Sequence, residues 1–155
     1  MKLLIKQHVF RWADTYDVYD EQQQPRYFVK GEVWSLGHVL HVYDAQRREL
    51  GVIRQRLLTW MPKFEIFLGG SLVGTLRREW TLFRPRYVLD SHGWAVQGDF
   101  FGWDYDVLRQ NGRVAHISKE LFRWGDTYVL DIADPAAEQA CLMIVLAIDA
   151  ANCGE

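Results

Sequence analysis

The sequence predicts a mainly β single domain over residues 1–155. Its strands, over about 2–133, form a closed antiparallel barrel around an apolar helix over about 135–152. Three observations carry this prediction. The chain has 155 residues, 49% apolar and 25% charged, with a net charge of -2; a chain of that length has room for one domain, burying about 68 to 70% of its unfolded surface. Aromatic residues make up 14% of it, a load that strands accept more readily than helices. The final segment is apolar on every side.

From residue 1 to 133, short apolar-polar runs alternate with turn residues, as in a sandwich or barrel. Phe64, Ile66 and Leu68 share one strand face, and Trp103, Tyr105 and Val107 another, with Asp104 and Asp106 turned toward water. Gly69-Gly70 and Asn111-Gly112 each separate two such runs and allow the positive φ of tight hairpins. Leu50-Gly51-Val52-Ile53-Arg54, Val73-Gly74-Thr75-Leu76-Arg77 and Val114-Ala115-His116-Ile117-Ser118 repeat one order, each read as the outgoing arm of a hairpin. Phe10-Arg11-Trp12-Ala13-Asp14-Thr15-Tyr16 recurs as Phe122-Arg123-Trp124-Gly125-Asp126-Thr127-Tyr128 and reads as two similar strands of a pseudo-symmetric sheet.

Asp134 is a good N-cap, Pro135 suits the first helical position and Gly154 would end the helix. Between them Ala140-Cys141-Leu142-Met143-Ile144-Val145-Leu146-Ala147-Ile148 has no water-facing side. Nine residues span only about 13 Å of helix, less than half of a roughly 30 Å hydrocarbon core, so a bilayer span is rejected. A barrel closed around the helix buries it and leaves no sheet edge; a helix shared in a dimer interface is the alternative. Cys141 and Cys153 fall about 120° apart around the axis, which disfavours a disulfide and makes Cys141 an inert buried thiol. Met1-Lys2-Leu3-Leu4-Ile5-Lys6 is too short and charged for a signal peptide, and a cytoplasmic protein is expected.

The chain resembles the LURP-one-related proteins and their short bacterial relatives, which share the tubby C-terminal-like fold. The resemblance rests on Val29-Lys30-Gly31-Glu32-Val33-Trp34-Ser35-Leu36-Gly37, Val96-Gln97-Gly98-Asp99-Phe100 and Val145-Leu146-Ala147-Ile148-Asp149, and runs from about Lys6 to Asp149. It implies about twelve strands around a central C-terminal helix, the architecture reached above from the helix alone. The wider group includes tubby domains, which bind phosphoinositide headgroups, and phospholipid scramblases. Fold likeness by itself transfers neither activity.

Few residues point to chemistry. Of His8, His38, His41, His92 and His116 only His38 and His41 are close, on opposite strand faces, and neither cysteine joins a Cys-x-x-Cys pair, so no metal and no cofactor are expected. Asp104-x-Asp106 begins like a calcium loop, but Arg109 and Ala115 stand where glycine and glutamate are required. Ser35, Ser71, Ser91 and Ser118 lie in no nucleophile motif, and no glycine pattern matches a phosphate loop.

Charge is uneven. Residues 47–86 hold nine Lys or Arg against three acids, giving +6, and the remainder nine against seventeen, giving -8. Arg54 and Arg56, like Arg84 and Arg86, are expected to share a strand face. With Lys63, Arg77 and Arg78 they form the candidate ligand-binding set, whose guanidinium groups suit phosphates. The competing reading pairs these cations with the acidic remainder across the barrel. The expected function is a non-enzymatic binding module engaging anionic phospholipid headgroups, or a partner protein, through this Arg-rich surface, peripheral to a membrane in the first case. A net acidic domain argues against nucleic acid. Two alternatives stand beside it: an enzyme with a barrel-end pocket near Asp14, Asp99, Asp104 or Asp126, and a structural or regulatory protein docking through Trp34, Trp60 or Trp80, which are read first as core. The oligomeric state stays open.

Overall fold

A computed structural model describes residues 1–10, 13–32, 35–82, 84–122 and 125–152. The expectations placed on Arg11, Trp12, Trp34, Arg123, Trp124, Cys153 and Gly154, and on the side chains of Asp14 and Asp126, lie outside the described residues. Twelve strands run in chain order: β1 Lys2–Phe10, β2 Ala13–Tyr19, β3 Pro25–Gly31, β4 Val39–Asp44, β5 Glu49–Gln55, β6 Lys63–Leu68, β7 Ser71–Trp80, β8 Pro85–Leu89, β9 Trp94–Asp99, β10 Asp104–Arg109, β11 Gly112–Phe122 and β12 Gly125–Ile132. Each pairs antiparallel with the next, and β12 returns to β1 with Ile5 opposite Tyr128, so the barrel closes. None of the twelve described strands has an unpaired edge, which removes the usual template for aggregation.

Period-two alternation builds the wall. Leu3 and Ile5 in β1, Phe64 and Ile66 in β6, and Tyr105 and Val107 in β10 face inward and are buried. The helix α1, Glu138–Asn152, fills the interior after a short 3-10 turn, Pro135–Ala137, whose Asp134 cap accepts from the Ala136 amide at 3.1 Å. Cys141 through Ala151 are all buried. The helix is thus enclosed by the barrel of its own chain, and the dimer-shared alternative is not needed to cover it. Among the described residues, no helix is long and apolar enough to cross a membrane.

The structure departs from the sequence reading in four places. The repeated Phe-Arg-Trp segments do not form two strands; each straddles a hairpin, with Phe10 opposite Ala13 and Phe122 opposite Gly125. The β10–β11 turn is Gln110-Asn111, and Gly112, at φ 140°, already opens β11. Trp103 precedes β10 at φ 54° and packs inward by stacking on Tyr128, ring centroids 3.5 Å apart. Trp60 and Trp80 are not core: they are 98% and 65% exposed, because they stand on and beside loops rather than on inward strand positions.

Candidate functional site

Up-and-down topology sorts the connections between the two barrel ends. Tight turns after β2, β4, β6, β8 and β10 lie at one end, where the helix enters. The connections after β3, β5, β7 and β9, over residues 32–38, 56–62, 81–84 and 100–103, lie at the other, the loop end. Asn152, last residue of the helix, marks that end by donating to the Phe100 carbonyl at 3.0 Å.

All seven candidate cations fall at the loop end of four adjacent strands, β5 to β8, or on the connections between them. Arg54 is exposed on β5, opposite Glu65 in register, with its guanidinium 5.9 Å from the Phe67 ring. Arg56 lies just past the strand, its amide donating to the Lys63 carbonyl at 2.9 Å. Lys63 opens β6 opposite Arg77 of β7. Arg78 lies opposite Tyr87 and 5.2 Å over the Trp80 ring. Arg84 is in the 81–84 loop and Arg86 in β8. Arg56 and Arg84 therefore extend from loops rather than from the strand faces expected of them, since β5 ends at Gln55 and β8 begins at Pro85.

Glu79 organises the centre of this surface. Arg77 donates to one of its oxygens, and Arg86 donates to the other through Nε at 3.0 Å. The hydrogen bond from Arg86 is the main cause holding this carboxyl below the usual glutamate range; partial burial opposes it and the charge of Arg77 assists. Among the described residues, Arg54, Arg56, Lys63 and Arg84 make no ion pair with any carboxylate. Arg47 and Arg48, the other cations of the basic segment, lie at the far end, where Arg48 binds Asp44 at 2.9 Å.

Beside Arg84 and Arg86 a concavity of about 390 Å³ opens on the outer wall, lined also by Thr81, Gln97, Gly98 and Asp106. Gly98 forms part of its floor at φ 141°, where a Cβ would stand 2.5 Å from the Asp104 carbonyl, so only glycine fits. Asp106 does not simply face water as expected: it is 2.8 Å from His116 Nδ1 and 3.5 Å from Arg113. Of the other acids considered for acid–base work, Asp99 accepts from the Gly102 amide at 2.8 Å and Asp104 is largely exposed, and neither lines this concavity. Gln97 and Asp106 were absent from the sequence-based set because they come from β9 and β10, and only the register beside Arg86 brings them in.

The hollow offers two guanidinium groups, uncharged polar groups and one carboxylate, Asp106, and the remaining candidate cations stand on the strands beside it. Such a surface suits a phosphate-bearing ligand better than a covalent reaction. The one free thiol among the described residues, Cys141, is deep in the core and pushed up to about 12 by burial, with Asp134 adding to the effect.

The solved structure of the protein AT5G01750 from Arabidopsis thaliana is similar to this chain with a TM-score of 0.62 at 16% identity, covering 96% of this chain and 91% of the other. Uncharacterized protein YxjI of Bacillus subtilis (strain 168) is 29% identical over 149 residues, covering 96% of this chain and 92% of its own length. The family model described as LURP-one-related matches residues 1–149. With barrel, helix and sequence in agreement over nearly its whole length, the chain belongs to the LURP-one-related family.

Proposed function

We propose that this domain is a non-enzymatic, peripheral binding module that engages anionic phospholipid headgroups at its loop end. One observation supports the reading: cations spread over 33 positions of sequence, from Arg54 to Arg86, are gathered by four adjacent strands and the loops that join them, and four of them make no ion pair with a carboxylate among the described residues. A charge left unpaired in the folded protein is available to a ligand at no cost in broken ion pairs. The hollow beside Arg84 and Arg86 adds Thr81 and Gln97 as partners for headgroup hydroxyls or phosphate oxygens.

Vesicle co-sedimentation tests this. Anionic vesicles should retain the protein, neutral ones should not, and retention should fall as salt rises. At about 1 kcal/mol per basic residue near a charged surface, Arg56→Ala combined with Arg84→Ala should weaken binding roughly 30-fold. The matched control, Arg47→Ala with Arg48→Ala at the opposite end, should change it little. Equal recovery of neutral and anionic vesicles would end the proposal.

A further inference from the structure

Eight large apolar side chains stand exposed among the described residues, and only Leu72 belongs to the turn end. The loop end carries the other seven. Leu36, Leu58, Trp60 and Leu82 are its tips, at 85%, 105%, 98% and 93% exposure, with Leu57, Trp80 and Phe101 around them. Single exposed apolar residues need no explanation, but a concentration of them on one end does.

These tips are braced. A Cβ on Gly37 would stand 2.8 Å from Leu57, so the 32–38 and 56–62 loops touch, and the His38 amide donates to the Gln55 side chain at 3.0 Å. Trp80 Nε1 lies 3.2 Å from the Met61 sulfur, joining 56–62 to the end of β7. Thr59 Oγ1 donates to the Met61 carbonyl at 2.8 Å, tightening the 56–62 loop itself.

Leu58 adds a second, independent sign. Its backbone is at φ 58°, a conformation that glycine or asparagine enters far more easily than leucine. A residue that strains the backbone and leaves its whole side chain in water serves neither folding nor solubility, and such outliers concentrate where a surface has work to do.

We infer that the loop end docks on a membrane with Leu36, Leu58, Trp60 and Leu82 immersed at the boundary between headgroups and acyl chains, while Arg56, Lys63 and Arg84 meet the phosphates above them. This rests on the lipid reading and deepens it from surface attraction to shallow insertion. The shape favours a bilayer over a folded partner, since projecting tips suit a deformable apolar phase. Apolar tips flanked by cations are the chemistry of interfacial anchoring, with immersion of about 5–10 Å. The cations match an anionic lipid surface and disfavour a second copy of this same positive end.

The test uses the full chain with Cys153→Ser and Leu58→Cys, labelled at residue 58 with a polarity-sensitive fluorophore, and the same label at Leu72→Cys for comparison. The vesicles are phosphatidylcholine containing phosphatidylserine, with spin-labelled acyl chains as quenchers. The expected result is a blue shift and acyl-chain quenching at residue 58 and neither at residue 72. Vesicle binding with residue 58 still in water would overturn insertion and leave the lipid reading standing; no binding at all would overturn both. A concentration-dependent blue shift without vesicles would assign the loop end to a second copy and overturn the inference. In unlabelled protein, Leu58→Asn with Trp60→Ser should lower vesicle affinity at least tenfold, while the melting temperature is unchanged or raised as the strain at residue 58 is relieved. Unchanged affinity in that variant also counts against insertion.

Discussion

Arg26 of β3 grips Glu138 in the first turn of α1 with two parallel hydrogen bonds, Nε to Oε1 at 2.9 Å and Nη2 to Oε2 at 3.0 Å. The Tyr27 hydroxyl donates to the same carboxylate at 2.7 Å. An acid at a helix N-terminus also meets the positive end of the helix dipole. One carboxylate therefore ties the core helix to the barrel wall at the point where it enters.

Removing Arg26 would leave that nearly buried carboxylate with one partner fewer. Because the guanidinium is itself 46% exposed, solvent screening tempers the loss, and Arg26→Ala should cost about 1–3 kcal/mol in urea denaturation at neutral pH. Burial alone would raise the Glu138 carboxyl, but hydrogen bonds from Arg26 and Tyr27 outweigh it and hold it below the usual range. A lowered folded value makes its contribution full above the unfolded glutamate range, and lost as pH falls through the folded value. The difference between wild type and Arg26→Ala should shrink on acidification; a constant difference down to the acid limb would refute the assignment.

Gly51 supplies a test of the helix–wall fit. A Cβ there would stand 2.5 Å from the Phe67 carbonyl and 2.8 Å from Met143 Cε of α1. In an open strand, replacing glycine by alanine stabilises through the unfolded chain. Here Gly51→Ala should destabilise by about 1–3 kcal/mol from overpacking, read as a lowered thermal midpoint. A raised midpoint would mean that helix and wall are farther apart than described.

His41 bridges two acids, Nε2 to Glu32 at 2.7 Å and Nδ1 to Glu49 at 3.0 Å. Partial burial alone would lower its pKa, yet the hydrogen bonds to Glu32 and Glu49 together raise it above the ordinary histidine value. The stabilisation is complete below the unfolded histidine range and fades as pH rises through the folded value. An NMR titration of the imidazole should give a midpoint above the unfolded one, and Glu49→Gln should bring it down. A midpoint indifferent to that change would break the assignment.

Cys141 is fully buried, and its raised thiol gives little thiolate near neutrality. Alkylation mapped by mass spectrometry should leave it unmodified in native buffer and modify it in denaturant. Native-state labelling at the rate of a free thiol would show that the barrel does not enclose the helix.

Much of this architecture was legible because it depends on periodicity. The unbroken apolar run at 140–148 demands a surrounding wall, and strand alternation at Phe64 and Ile66 supplies one. Even the faint three-segment repeat has a physical cause: its small residue falls at Gly51, Gly74 and Ala115, and at the two glycines a Cβ would collide with neighbouring strand, helix or turn atoms. Charge could be counted, but register could not, so the sequence did not reveal that Arg77 and Arg86 share Glu79 while Arg54 and Arg84 make no ion pair among the described residues. The apolar tips were missed for a related reason. Composition favours placing Trp60 inside, and only the topology, which puts 56–62 on a connection, turns it outward. The cue was present in Arg56-Leu57-Leu58-Thr59-Trp60-Met61-Pro62, where apolar residues crowd a segment that turn chemistry would fill with polar ones.

Because α1 follows all twelve strands, this fold is made in an awkward order during translation. Every stave leaves the ribosome before the rod they are built to clasp, and the first stave waits for the twelfth to complete the ring. Until then the nascent chain carries a dozen greasy half-faces with nothing to rest on. The inner face of the wall therefore stays uncovered until α1 has been made, and in that interval the exposed apolar surface is open to aggregation.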